Sequence, residues 1–395
     1  MKKGRTKYYV IINILLILIL SISVFLIILR LNNISVKSFV CDFFQQNDSE
    51  NNVDNKETEE ATEEETKEEE TEEETEEEAE PETEVVEDIY DTITISAAGD
   101  VTLGRDSEYG YTGSFDHELE LQDNDYSYFF RNVKDVFEAD DITVVNLETT
   151  LTTATKKADK SFRFKADPSY TEILKAGSIE AVSIANNHSR DYLEEGYQDT
   201  IDTLEDADIG YFGYEHKYLE DIRGIKVGFA GFYFMKETEE LKESIKTSIE
   251  DLRNDGADIV VVMCHWGIEK DNYPNSIQKN IAHFSIDNGA DLVLGSHPHV
   301  LQGIEEYKGK NIVYSLANFS FGGNKNPFDH DTMIYVHKFN FENGELISEE
   351  NEVIPCSISS VSNRNNYQPT ILEGEEKERV LGRIEEYSEP LKETE

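Results

Sequence analysis

Cysteine is scarce in this 395-residue chain, which holds three: Cys41, Cys264 and Cys356. Three thiols so far apart exclude a disulfide framework, and such low usage suits an exported protein that does without one. Cys264 lies in an apolar run and reads as a buried thiol. Positive charge is also short: 36 Lys and Arg stand against 83 Asp and Glu, for a formal charge of −47. No basic stripe interrupts that surface, which excludes nucleic acid as a partner. The acidity is uneven. Residues 51–90 hold 21 Asp and Glu against two Lys, which supplies −19 and leaves −28 for the rest.

The first 90 residues lack the pattern of a globular core. Residues 1–7 carry Lys2, Lys3, Arg5 and Lys7, and an apolar run from Tyr8 meets no charge until Arg30. About 20 apolar residues span a bilayer core. A cleaved signal peptide would have a shorter run, about 7–15 residues, followed by a small-residue cleavage site. Cys41 sits in no recognisable lipoprotein cleavage box. The expectation is a single-pass signal anchor over residues 8–31, with the basic flank in the cytoplasm. The protein is then held at the cell membrane with its C-terminal domain extracellular. Residues 32–90, rich in Thr-Glu-Glu-Glu repeats, cannot bury enough apolar surface to offset chain entropy. They read as a disordered, self-repelling stalk.

Residues 91–363 read as the folded domain and 364–395 as a C-terminal helix and tail. Strand-like runs alternate with helical ones from Asp91 to Phe339, which predicts an α/β domain with buried sheets. Tyr126 to Phe137 has helical spacing, Phe162 to Lys165 alternates, and Met333 to Phe339 reads as a strand that Glu345 to Pro355 can pair. Five apolar runs end in residues able to bind metal. Thr92 to Ala98 leads to Gly99-Asp100, and Ile142 to Val145 leads to Asn146-Leu147-Glu148. Ala181 to Ala185 leads to Asn186-Asn187-His188 and then Asp191. Asp258 to Cys264 leads to His265, and Ala290 to Leu294 leads to Gly295-Ser296-His297-Pro298-His299. Pro298 stiffens that last turn and biases His297 to an extended conformation.

Each of these residues has an ordinary explanation by itself: a turn aspartate, a core histidine, exposed loop histidines. Together they place seven oxygen and nitrogen donors at the carboxyl ends of strands, where open α/β sheets carry their chemistry. Mixed ligands of this kind suit Mn, Fe or Zn better than Ca or Mg. One tetrahedral ion needs fewer. The set suffices for one or two divalent ions, a pair lying about 3.5–4 Å apart and sharing a carboxylate. Such a centre hydrolyses esters at phosphorus, or less often at a carbonyl carbon.

These motifs, with Arg105 after Asp100 and with Asn318-Phe319, occur in the order found in the CapA family of poly-γ-glutamate capsule-synthesis proteins, which the chain resembles from about Ile93 to Tyr335. That family is similar to the calcineurin-like metallophosphoesterases. The resemblance implies a two-sheet sandwich flanked by helices. It implies Asp100 and His299 as ligands of a first metal, Glu148 as the bridging carboxylate, and Asn187, His265 and His297 as ligands of a second. It implies His188 as the group that protonates the leaving atom or positions the phosphate, and Arg105 as a contact for an anionic substrate. Two departures stand out: no histidine follows Asp100 in the Asp-x-His pattern, since position 102 is Thr, and the bridging position is Glu rather than Asp. The function so implied is a membrane-anchored cell-surface protein of capsule-polymer synthesis with a metal-dependent hydrolase-type site. Its partners would be the membrane, other capsule-synthesis subunits and an anionic polymer. The alternatives are a non-catalytic subunit of a polymer-export complex and a general metal-dependent phosphodiesterase.

Overall fold

Period-two burial decides where the sheets lie. In the first strand, Ile93, Ile95 and Ala97 enter one hydrophobic core, while Ala98 and Val101 enter another on the opposite side. The computed structural model describes residues 90–392, so the expected membrane anchor and acidic stalk lie outside the described residues. Among the described residues no helix is long and apolar enough to cross a membrane.

The strands are β1 (Tyr90–Thr102), β2 (Ile142–Leu147), β3 (Thr150–Leu151), β4 (Lys165–Ala166), β5 (Ala181–Ser183), β6 (Gly210–Phe212), β7 (Lys217–Ile222) and β8 (Ile225–Tyr233). They continue with β9 (Ile259–His265), β10 (Leu292–Ser296), β11 (Ile304–Tyr307), β12 (Lys310–Val313), β13 (Asn318–Phe321), β14 (Asp331–Glu342), β15 (Glu345–Ser357) and β16 (Thr370–Ile371). The helices are α1 (Phe115–Leu121), α2 (Lys134–Phe137), α3 (Thr171–Ala176), α4 (Leu193–Asp206), α5 (Glu239–Asn254), α6 (Ser276–Asp287) and α7 (Gly374–Ser388).

One sheet has the order β16-β15-β14-β1-β2-β5-β6, with β13 also paired to β1. Its β1, β2, β5 and β6 are parallel, and β14 and β15 form a long antiparallel hairpin beside β1. The second sheet has the order β11-β12-β10-β9-β8-β7, with a parallel centre and antiparallel edges. Between the sheets lies a core of Ile93, Ile95, Val144, Phe229, Val261 and Leu294, among others. On the far face of the first sheet, Ile173, Leu174, Ile201 and Leu204 bring in α3 and α4. On the far face of the second, Ile245, Ile249, Ile281 and Ile286 bring in α5 and α6. The architecture is therefore an α/β sandwich of two sheets flanked by helices. Cys264 is fully buried in that outer core, where desolvation raises its thiol pKa.

Local pattern and final structure part company in a few places. The helical spacing of Tyr126 to Phe137 resolves into a 3-10 turn at Tyr126–Tyr128 and the short α2. Phe129 and Phe130, between the two short elements, are both buried. The alternating Phe162 to Lys165 contributes only the two-residue β4. The chain beyond residue 363 packs on the same body. Tyr367 is fully buried, β16 pairs with β15, and Val380 and Ile384 of α7 enter the core between the sheets.

Candidate metal centre

The strand ends converge because β1 and β2 are parallel neighbours in one sheet and β9 and β10 in the other. Asp100 lies in register with Asn146, and Ser296 with His265. Two glycines make the approach close enough. A Cβ on Gly99 would fall 1.9 Å from the carbonyl oxygen of Ala317, and one on Gly295 would fall 2.0 Å from that of Tyr314. No side chain fits at either position. The His297-Pro298-His299 turn carries φ of 95° at His297 and 59° at His299. The extended conformation expected before Pro298 is thus not adopted. Left-handed backbone at non-glycine residues is strain of the kind that gathers at functional sites. Here the His297 amide donates toward Asp100 Oδ2 at 3.4 Å.

Two overlapping sets of side chains could each hold a metal ion: Glu148, His265 and His297, and Asp100, Glu148 and His299. In each set the donor atoms lie within 4.8 Å of one another, and Glu148 is common to both. Asp100 Oδ2 is 3.1 Å from His299 Nδ1. His265 Nε2 is 3.0 Å from His297 Nδ1, 2.7 Å from Asn187 Oδ1 and 3.5 Å from a Glu148 oxygen. All six residues expected as ligands are therefore brought together.

The fit to a cation rests on Glu148. Its side chain is fully buried, and neither carboxylate oxygen has a hydrogen-bond partner. Burial, with the Asp100 charge beside it, pushes its pKa well above the ordinary carboxylate value. Leaving a buried acceptor unpaired is costly, and a buried charge needs a counter-charge. Burial drives the pKa of His265 well below its usual value and that of His297 down to about 4, which favours neutral, ligating imidazoles. Burial acts the same way on His299, but the charges of Glu148 and Asp100 outweigh it and raise that pKa to about 9. Carboxylates and imidazoles packed so tightly are suited to a divalent ion that balances them all.

A second set of residues holds the ligands in place. Asn146 Nδ2 donates to Asp100 Oδ1 at 2.8 Å, and Asn186 Nδ2 donates to Asn146 Oδ1 at 3.1 Å. His299 Nδ1 lies 2.9 Å from Asn318 Oδ1, and His265 Nδ1 lies 3.0 Å from Ser296 Oγ. His188 points its Nε2 toward Glu148 at 3.9 Å, while its Nδ1 lies 2.7 Å from Asp191 Oδ2. Burial lowers the His188 pKa, and Asp191 partly restores it. Asp191 also accepts from Lys160 Nζ at 2.6 Å and from the Phe164 amide at 2.6 Å.

A cavity of about 540 Å³ opens beside the centre, with His188, His299 and Asn318 in its wall. Arg105 lines it as well, with its Nε paired to Asp116 at 2.9 Å. Asn146, Asn186 and Asn318 stand inside the recognisable motifs, although they were not singled out as site residues. Asp191 follows His188 by three positions. Lys160 is different: it comes from an irregular segment between β3 and β4, and no local pattern marks it.

Comparison with known proteins identifies the family. The family described as bacterial capsule synthesis protein PGA_cap matches residues 94–323. A capsule biosynthesis protein CapA of Bacillus anthracis is 29% identical over 300 residues, covering 69% of each chain. A PGA biosynthesis protein CapA of Bacillus subtilis is 32% identical over 253 residues, which is 58% of this chain and 64% of that one. A probable polyglutamine synthesis accessory protein of Mycobacterium tuberculosis is 24% identical over 257 residues, or 56% of this chain and 67% of its own length.

Proposed function

The chain belongs to the bacterial capsule synthesis family PGA_cap, and on that premise we propose that it is a cell-surface protein of poly-γ-glutamate or related capsule-polymer synthesis, with a metal-dependent hydrolase or transferase site. The N-terminal apolar run anchors it in the cell membrane, the acidic stalk spaces the domain from the bilayer, and other capsule-synthesis subunits are its partners. The observation that carries the catalytic part is the buried, unpaired carboxylate of Glu148 among Asp100, His265, His297 and His299.

Asp100, Glu148 and His299 would hold one ion, and Glu148, Asn187, His265 and His297 another. A divalent ion held there supplies Lewis-acid polarisation of a phosphoryl or carbonyl oxygen. The rest of the work falls to the chain. Asp191 fixes the ring of His188 through Nδ1, so Nε2 is the nitrogen that takes or releases a proton on the side of the centre. Lys160 balances the Asp191 charge, and the Phe164 ring covers one face of His188 at 4.2 Å and keeps water from it. The strongly acidic surface gives no general attraction for an anionic polymer, so its binding depends on the metal centre.

The test is metal content by elemental mass spectrometry on the full chain, purified without chelator. One or two equivalents of Mn, Fe or Zn are expected, lost in the His297→Ala, His299→Ala double variant. No metal, even after soaking with each ion, would refute the catalytic reading. One observation favours the second reading, a non-catalytic subunit of a polymer-export complex. Position 102, where the phosphoesterase pattern has a histidine, is Thr, so the first set is left with Asp100, Glu148 and His299. A single equivalent of metal with no turnover would select it.

A further inference from the structure

The cavity beside the metal centre has a wall that metal chemistry does not explain. A run of rings leads outward from its two histidines. Phe164 stacks on His188, and Phe321 lies 5.0 Å from His299. Phe164 and Phe321 meet edge to face at 6.4 Å. At the mouth, Tyr109 and Phe162 stack with centroids 5.7 Å apart and planes within 20°. Both are half exposed, at 51% and 50%, and Phe328 across the same cavity is 87% exposed. Three aromatic side chains left in water around one opening mark a binding surface.

Several of the charges that line the cavity already have partners. Arg105 pairs with Asp116, and Asp329 pairs with Arg383 at 2.6 Å. Lys325 donates to the carbonyls of Gly110 and Thr112, and Asp106 accepts from the amides of Glu108 and Arg163. Glu269 and Lys270 at the rim are opposite in sign. Histidines aside, the three cations of the lining, Arg105, Lys270 and Lys325, are matched by three carboxylates, Asp106, Glu269 and Asp329, so a polyanion meets no net positive charge, whereas an aromatic ring finds a wall of its own kind.

We propose that this cavity is a subsite for a flat, uncharged ring of the substrate, seated against the Tyr109–Phe162 wall while the substrate's oxyanion end reaches the metal centre. The second half of that statement rests on the hydrolase reading; the ring subsite does not. The substrate class is a ring-bearing ester. A heteroaromatic base and a pyranose both offer a flat face to an aromatic side chain.

The test uses the full chain kept metal-free with chelator, titrated with adenosine, methyl glucopyranoside, glycerol and a glutamate oligomer by isothermal titration calorimetry. One of the two ring compounds is expected to bind saturably, and which one identifies the ring. Phe162→Ala is expected to weaken it roughly tenfold, in line with the loss of one stacking partner, while Phe162→Tyr retains it. Circular dichroism checks that both variants keep the fold. Binding of neither ring compound, an unchanged Kd in Phe162→Ala, or displacement of the ring by the glutamate oligomer would overturn the proposal. The two ring compounds lack an oxyanion and the protein lacks metal, so the result is independent of the metal reading. That reading is tested separately: with Mn restored, the phosphorylated ring compound is expected to bind more tightly than its parent. Equal affinity there would remove the metal reading and leave the ring subsite standing.

Discussion

Glu148→Gln separates a residue kept for function from one kept for stability. In the metal-free protein the two buried oxygens of Glu148 have no hydrogen-bond partner, and the nearby His299 charge only partly offsets their burial. An unsatisfied buried group costs about 1–3 kcal/mol. Gln keeps the shape and removes the charge but leaves a buried amide, so the net gain should sit near the low end, about 1 kcal/mol. The unfolding entropy is about 2.1 cal/mol/K per residue. For residues 90–392 it amounts to about 0.6 kcal/mol/K. The metal-free variant should therefore melt about 1–2 °C higher than the parent. The pH dependence has a definite sign. The folded pKa of Glu148 lies above the unfolded value of 4.5, so the native state holds a proton that the unfolded state has released. Stability of the metal-free parent falls as pH rises through that window, and its deficit against Gln grows. With Mn at about 100 times Kd, the parent should gain about 2.7 kcal/mol, or about 4 °C, and the variant much less. Differential scanning calorimetry with chelator and with Mn reads both. A metal-free variant less stable than the parent, or an undiminished Mn shift, would refute the assignment of Glu148 to a shared metal position.

His188→Ala should keep fold and metal content but abolish turnover of any phosphoester substrate, whereas unchanged turnover would remove His188 from the mechanism. Asp191→Asn should lower turnover about 10–100-fold by loosening His188, with the metal retained, as read by steady-state kinetics beside elemental analysis. Gly99→Ala should destabilise the domain by about 3 kcal/mol or more in urea denaturation, because the new Cβ meets the Ala317 carbonyl at 1.9 Å. Truncation after residue 363 should leave an insoluble chain. It removes Tyr367, Val380, Ile384 and Leu391, all buried, at about 2 kcal/mol each against a total stability of about 5–15 kcal/mol.

Much of the site could be read along the chain because its ligands follow buried strands. A run such as Asp258 to Cys264 is recognisable from its own apolar residues, and the first polar residue after it sits at a sheet edge wherever the sheet lies. Burial alternates along β9, with Val261 and Met263 facing one core and Val260, Val262 and Cys264 the other. Period and composition are local properties, and so is the order of the motifs that carries the family resemblance.

Other features depended on distances that no local pattern encodes. The pairing of β9 beside β10, opposite β1 and β2, brings His265 to Asn187 across 78 positions and His297 to Asp100 across 197. Lys160 reaches Asp191 from a segment without period. Arg105 carries the charge expected of an anion contact, and only the fold pairs its Nε with Asp116. The helix after residue 374 has an amphipathic pattern that does not say which core it joins, and only packing sends Val380 and Ile384 between the sheets. The sequence by itself determined which residues stand at strand ends and which family the chain resembles, because hydrophobic period and motif order are written locally. The tertiary structure decided which donors share an ion and which cations are already engaged, because those depend on non-local strand pairing and on the burial it produces.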